Sequence, residues 1–155
     1  MCGGNNPTGE YALIGNKVKR TLLLPFQPGY LYTRFGYDEY RHMVIDSLFG
    51  QGWLKASLSV ETHPMVEVFL NRYQQNSAGA LYNVQLINLS GYNGVSFHEP
   101  LPLRDIRIQI NLKQGETPKE LVLLPGGKNL PFELSGQTLK FSVPSLDTYR
   151  MVVIK

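Results

Sequence analysis

The sequence predicts a mainly β chain, an antiparallel immunoglobulin-like (Ig-like) β-sandwich preceded by a short strand-helix remnant of an α/β domain. Three observations carry this reading. After residue 54, apolar residues alternate with polar ones in several short runs; turn signals such as Ser90-Gly91-Tyr92-Asn93-Gly94, Gly126-Gly127 and Ser135-Gly136 separate them; and before residue 50 the apolar spacing is helical instead. About eight strands in some hundred residues, with no helix between them, form the pattern of two packed antiparallel sheets.

In chain order, residues 1–16 read as a flexible, glycine-rich N-terminal segment. Val18 to Leu24 is a short strand whose three consecutive leucines suit burial on both faces. Pro25, Pro28 and Gly29 then predict a loop, unusually aromatic through Tyr30, Tyr32, Phe35 and Tyr37. Asp38 to Phe49 reads as a helix, with Asp38 and Glu39 at its positive end and Gly50 and Gly52 to stop it. Tyr40, Met43, Val44, Ser47 and Leu48 fall on one face at i, i+3, i+4, i+7 and i+8, and Ile45 and Phe49 widen that stripe, so this helix expects cover on most of its girth.

The period-two strands follow. Val66, Val68 and Leu70 alternate with Glu67, Phe69 and Asn71; Ile106, Ile108, Ile110 and Leu112 with Arg107, Gln109 and Asn111; Leu139, Phe141 and Val143 with Lys140 and Ser142. Further strands are expected at 56–61, 81–89, 120–124, 131–134 and 149–154. The expected organisation is a segment 1–16, a strand-loop-helix unit 17–52, and a sandwich 53–155. One strand and one helix cannot bury each other, so residues 17–50 read as an edge that needs further layers. The competing arrangement is a single α+β domain in which Val18 to Leu24 joins a sandwich sheet.

Composition excludes several classes of function. The chain has 155 residues, enough for a real core without disulfides or metal. Its single cysteine, Cys2, cannot form an internal disulfide. Fifteen basic and twelve acidic residues give a net charge of +3, with one tight basic cluster at Lys17, Lys19 and Arg20 and the arginines otherwise scattered; no nucleic-acid partner is expected. No apolar run approaches a membrane span, so no membrane partner is expected either. The first fifteen residues lack the basic start and apolar core of a secretory leader, and no apolar segment precedes Cys2. The chain itself points to no compartment; a parent protein with its own leader would be secreted or periplasmic.

Candidate chemistry is weighed residue by residue. Gly94-Val95-Ser96-Phe97-His98 nearly matches a nucleophile elbow but has His where the second Gly belongs, and no helix follows, so Ser96 reads as a loop serine. His63 and His98 with Glu61 or Glu99 lack the ligand spacing of zinc sites, and no cofactor or metal is expected. Glu61, Glu67, Glu99 and Glu133 offer carboxylates for a glycosidase pair, but Glu67 alternates outward on a strand and Glu133 lies in a short turn-flanked segment. No catalytic residue is assigned. Cys2 reads as a free tail thiol, and Asn88-Leu89-Ser90 as a chance glycosylation sequon. The candidate carbohydrate-binding residues are Tyr92 and Trp53, because exposed rings stack on sugar faces. For Trp53 and the 30–37 loop, packing at the junction of the two halves is the better reading, and Tyr92 is the best candidate for an exposed ring.

The run KVKRTLLLPFQPGYLYTRFGYDEYRHMVIDSLF resembles the end of the glutamine-amidotransferase-like domain that follows the catalytic barrel in bacterial β-galactosidase-like glycoside hydrolases. The segments VETHPMVEVFL, LYNVQLINLSGYNGVSFHEPLPLRDIRIQI and YRMVVIK resemble the carboxy-terminal β-sandwich that comes next, so the likeness runs from about residue 17 to the end. Its most distinctive part is the NLSGYNG turn with the FHEPLPLRDI segment after it.

The resemblance implies a non-catalytic C-terminal structural or interdomain sandwich of a protein acting in carbohydrate metabolism. The partners would be the missing catalytic barrel and the rest of the amidotransferase-like domain, with self-association through the 38–49 helix in their absence. The alternative is a carbohydrate-binding module using exposed aromatic rings.

Overall fold

A computed structural model describes residues 12–13, 22–23, 27–50, 54–73 and 79–155. The chain divides into two compact units, Met1–Ala56 and Ser57–Lys155.

In the first unit, strand β1 (Ala12–Leu13) pairs antiparallel with β2 (Leu22–Leu23), Ala12 opposite Leu23 and Leu13 opposite Leu22. β1 falls within the segment expected to be flexible, and β2 is the described part of the expected strand 18–24; the remainder of both lies outside the described residues.

The aromatic loop expected after Pro25 is corrected: Pro28–Phe35 is a helix, α1. Pro28 stands at the start of the helix, where its missing N–H is no loss and its fixed φ is preorganised. Gly36 ends it at φ 70°, donating its N–H to the Tyr32 carbonyl at 2.7 Å. Pro28 and Gly29, expected to break the chain, instead form the first turn of eight helical residues. Helix α2 (Asp38–Ile45) follows and runs into a π-helical turn, Asp46–Gly50. Asp38 accepts from Arg41 at 2.6 Å and pairs with His42 at 2.9 Å one turn on, the i,i+3 and i,i+4 spacing that makes helix neighbours. No residue of α2 is buried. Tyr40, Met43 and Val44 are only half-buried, and Ile45, Leu48 and Phe49 are exposed.

The second unit is an antiparallel β-sandwich. One sheet has four strands in the order β3 (Leu58–Glu61), β6 (Leu103–Asn111), β10 (Thr138–Leu146), β9 (Phe132–Ser135). The other has five, in the order β4 (Val66–Arg72), β5 (Tyr82–Asn88), β11 (Tyr149–Ile154), β7 (Leu121–Leu124), β8 (Lys128–Asn129). Each of the eight runs expected from periodicity contains a strand. The two-residue β8 is an addition, turned back from β7 by Gly126 and Gly127 at φ 112° and 64°, angles that a side chain rarely tolerates.

Register gives each sheet an apolar inner face. In the four-stranded sheet, Ile108 lies opposite Val60 on one side and Phe141 on the other, and Ile110 opposite Leu58 and Leu139. In the five-stranded sheet, Val152 lies between Val84 and Leu123, and Ile154 between Tyr82 and Leu121. These residues, with Val66, Leu86, Ile106, Val143 and Leu146, form one core cluster.

The two outer faces differ. On the four-stranded sheet the outward positions are polar or charged, whereas the five-stranded sheet turns Phe69, Ile87, Val122, Leu124, Met151 and Val153 outward in the same registers as Asn71, Asn83 and Gln85. Phe69 is 46% exposed. Asn83 is buried there, and its side chain bonds to Asn71 and Tyr73.

A polar latch ties the 112–120 connection to the five-stranded sheet. Glu116 accepts hydrogen bonds from Arg72, from the Tyr82 hydroxyl and from the Lys113 amide. Burial opposes its ionisation, but the bonds from Tyr82, Arg72 and Lys113 outweigh it and hold its pKa below the ordinary 4.5. Because the folded value is the lower one, this stabilisation is present above the unfolded carboxyl's 4.5 and is lost as pH falls through the folded value. Glu116→Gln should therefore cost about 1–2 kcal/mol at neutral pH and much less at pH 3. Thermal melts of the two proteins at both pH values check this; an equal deficit at both would mean that charge plays no part.

Candidate functional site

Two surfaces of the sandwich concentrate candidate side chains. The first is the β5–β6 connection, residues 89–102. Its base is Asn88, only 2% exposed. The Asn88 amide nitrogen donates to the carbonyls of Leu101 (2.8 Å) and Asp147 (2.7 Å), and its Oδ1 accepts from the Ser90 amide (3.1 Å). Both ends of the loop are thus fastened to each other and to the β10–β11 turn. The formal sequon has its asparagine buried and fully engaged, so the folded chain offers no glycosylation acceptor there.

Above this base the loop doubles back. The His98 amide donates to Gly91 O at 2.8 Å, and Tyr92 bridges to Phe97. Gly91 is required here for close approach: a Cβ would run into the His98 carbonyl. Gly91→Ala should cost about 1–3 kcal/mol, read as a lower denaturation midpoint; an unchanged midpoint would show that the loop yields freely. Asn93 Oδ1 accepts from the Val95 and Ser96 amides at 3.1 and 2.9 Å, an Asx turn, and Asn93 Nδ2 lies 3.0 Å from His98 Nε2.

At the tip, Tyr92 and Phe97 stack with ring centroids 4.7 Å apart and planes 30° apart. Tyr92, the ring expected to be open, is 41% exposed, with its hydroxyl on Gly94 O and one face against Phe97. Phe97, at 70%, and Val95, at 93%, are the more open side chains; Leu101, also exposed, lies at the loop's base, its carbonyl bonded to Asn88. Phe97 was missed in the sequence because it sits in a run resembling a nucleophile motif; its place three residues after the Asn93-Gly94 turn was the available signal. Trp53, the other candidate ring, lies outside the described residues.

The second surface is a groove of about 720 Å³ on the outer face of the four-stranded sheet. Register builds it from two rows running across the strands: Ser59, Gln109, Lys140 and Glu133 in one, Glu61, Arg107 and Ser142 in the other. Arg107 and Glu61 make a 3.4 Å ion pair, exposed at both ends and so weak. Ser59, Gln109, Lys140, Glu133 and Ser142 make no side-chain hydrogen bond among the described residues.

The weighed constellations do not assemble into a catalytic set. Ser96 Oγ lies 3.4 Å from His98 Nε2, but both are exposed, no carboxylate among the described residues bonds to His98, and β-structure follows where an elbow needs a helix. His63 Nδ1 accepts from the Met65 amide. Glu67 faces outward on the five-stranded sheet. Glu61 and Glu133 do line one groove, which the sequence did not foresee, but they stand on the two edge strands. Three strand spacings of ~4.8 Å put their backbones roughly 14 Å apart, with Arg107 and Lys140 between them, wider than the carboxylate pair of glycoside hydrolysis. Among the described residues no three of His, Cys, Asp and Glu gather closely enough to hold a metal ion, and no helix is long and apolar enough to cross a membrane.

No protein-family model matches the chain, and no curated protein matches it. Solved structures do. An α-L-fucosidase, isoenzyme 2 from Paenibacillus thiaminolyticus, matches with a TM-score of 0.62 and 23% identity over 80% of this chain and 19% of its own. A cycloisomaltooligosaccharide glucanotransferase from Paenibacillus sp., solved with cycloisomaltoheptaose, matches at 0.43 and 13% over 78% of this chain and 21% of its own. The chain spans about a fifth of the length of each. The sandwich fold is therefore one that occurs within the much longer chain of a glycoside hydrolase.

Proposed function

We propose that this chain is a non-catalytic accessory unit of a larger bacterial glycoside-hydrolase-like protein, β-galactosidase-like in kind, whose sandwich serves as an interdomain element. Its partners are the catalytic barrel and an amidotransferase-like domain of which residues 17–52 are the end. The observation that carries this reading is the 89–102 loop. The Tyr92 hydroxyl and the Asn93 side chain are bonded within it, so its tip presents Tyr92, Val95 and Phe97 as a preorganised apolar knob. A fixed apolar projection suits a protein pocket, because little ordering entropy remains to be lost on docking. Exposed Phe69 on the five-stranded sheet, and exposed Ile45, Leu48 and Phe49 at the end of α2 and the turn after it, favour the same conclusion, since apolar surfaces mark contact sites.

Assay of the chain on a panel of nitrophenyl glycosides tests the non-catalytic role: no turnover above background is expected, and turnover abolished by Glu61→Gln or Glu99→Gln would overturn it. The exposed apolar surfaces also predict concentration-dependent self-association in sedimentation, and a strict monomer at high concentration would count against them.

A second reading, carbohydrate binding by exposed rings, is favoured by the open face of Phe97 beside Tyr92. Oligosaccharide titration followed by the amide NMR signals of residues 89–102 tests it. A response lost in Tyr92→Ala and Phe97→Ala would support it, and silence in the unaltered chain would remove it.

A further inference from the structure

We propose that the groove on the outer face of the four-stranded sheet is a binding site for a short, uncharged oligosaccharide lying across the strands. Three features of the groove argue for this occupant. The first is hydrogen-bonding chemistry. A sugar hydroxyl both donates and accepts, so a run of them needs donors and acceptors interleaved. The row Ser59, Gln109, Lys140, Glu133 supplies a hydroxyl, an amide, an ammonium and a carboxylate in succession, and the adjoining Glu61, Arg107 and Ser142 repeat the mixture.

The second is availability. Most polar clusters elsewhere on the sandwich are bonded internally, as at Glu116, Asn83, Asn88 and Asn93. Here five of seven polar ends bond to nothing among the described residues, and the remaining pair is a loose surface contact that a ligand can rearrange at little cost.

The third is charge and size. Two acids, Glu61 and Glu133, balance two bases, Arg107 and Lys140. A nucleic acid or acidic glycan would call for an excess of base, whereas the lining mixes these polar groups with apolar ones, Pro131 and Phe132 among them, as small-molecule sites do. A volume of about 720 Å³ lies within the range of small-molecule sites. The roughly 14 Å from edge strand to edge strand suits several linked rings better than one.

The inference deepens the carbohydrate-associated reading but is separable from it. Hydrolytic turnover would sink the non-catalytic role whatever this site does, and an empty groove would leave that role standing. The test is an amide-detected NMR titration of the full chain with short neutral fragments of glucan, xylan, mannan and galactan, beside a uronic-acid oligomer. At least one neutral fragment is expected to shift the amides of β3, β6, β9 and β10 around the two rows. Gln109→Ala and Lys140→Ala, outward positions that leave the core intact, should each weaken that binding about tenfold, as loss of a ligand hydrogen bond does, and Phe97→Ala should not. No shift with any neutral fragment, shifts confined to residues 89–102, or a preference for the uronic acid would each overturn the proposal.

Discussion

Ile108→Ala is expected to destabilise the sandwich by about 3–4 kcal/mol, the range for emptying a well-packed aliphatic site. Ile108 is 2% exposed at the middle of β6, a central strand, with Val60 and Phe141 directly opposite it on the two neighbouring strands. The inner faces of both sheets converge on this position, so the surroundings cannot close over the lost methyl groups without breaking register. For a domain of this size the loss amounts to a fall in melting temperature of about 15 °C. Calorimetry checks it. A fall of only a few degrees would mean that the two sheets do not share a single close-packed core. Ile108→Val, which removes one methylene, should cost about 1 kcal/mol and separates a packing effect from general intolerance.

The second large effect is Asn88→Ala, expected to cost about 3 kcal/mol. Removing this side chain leaves the Leu101 and Asp147 carbonyls and the Ser90 amide without the partners they now have, and each buried polar group so orphaned costs about 1–3 kcal/mol, partly recovered where water enters. Asn88→Asp should be worse, because the carboxylate keeps the acceptor for Ser90 but sets negative charge against two carbonyl oxygens. Urea titration of the three proteins gives the order directly. If Asp were the milder change, the amide would not be the donor at this node. The same variants should alter the NMR signals of residues 91–98, since Asn88 is what holds the loop's two ends together.

The sandwich was legible because its strands obey period two with one face buried. Val66, Val68 and Leu70, and likewise Leu139, Phe141 and Val143, can serve only one face, and that face became the core. β8 was not legible, since Lys128 and Asn129 have no apolar signature and pair only because the Gly126-Gly127 turn returns the chain. α1 was misread for a physical reason. Pro28 and Gly36 are breakers inside a helix but boundaries at its ends, and composition alone does not distinguish the two.

For the candidate sites, alternation gave the outward direction of Arg107, Gln109 and Lys140, but nothing local could say that β3, β6, β10 and β9 would lie side by side. The groove is a product of strand order, which brings together residues as far apart in sequence as Ser59 and Ser142. In the loop the exposed ring could be named in kind from its Gly-rich turn, whereas the stacking of Phe97 on Tyr92 depends on the tight return at Gly91.

The central claim is that residues from about 57 onward are a self-supporting sandwich that does not depend on the unit before it. Hydrogen exchange on the whole chain, resolved by residue, tests this most directly. Amides of β5, β6, β10 and β11 should share one high level of protection set by global unfolding, and those of α1 and α2 should exchange orders of magnitude faster through local opening. Equal protection in the helices and the central strands would contradict the claim.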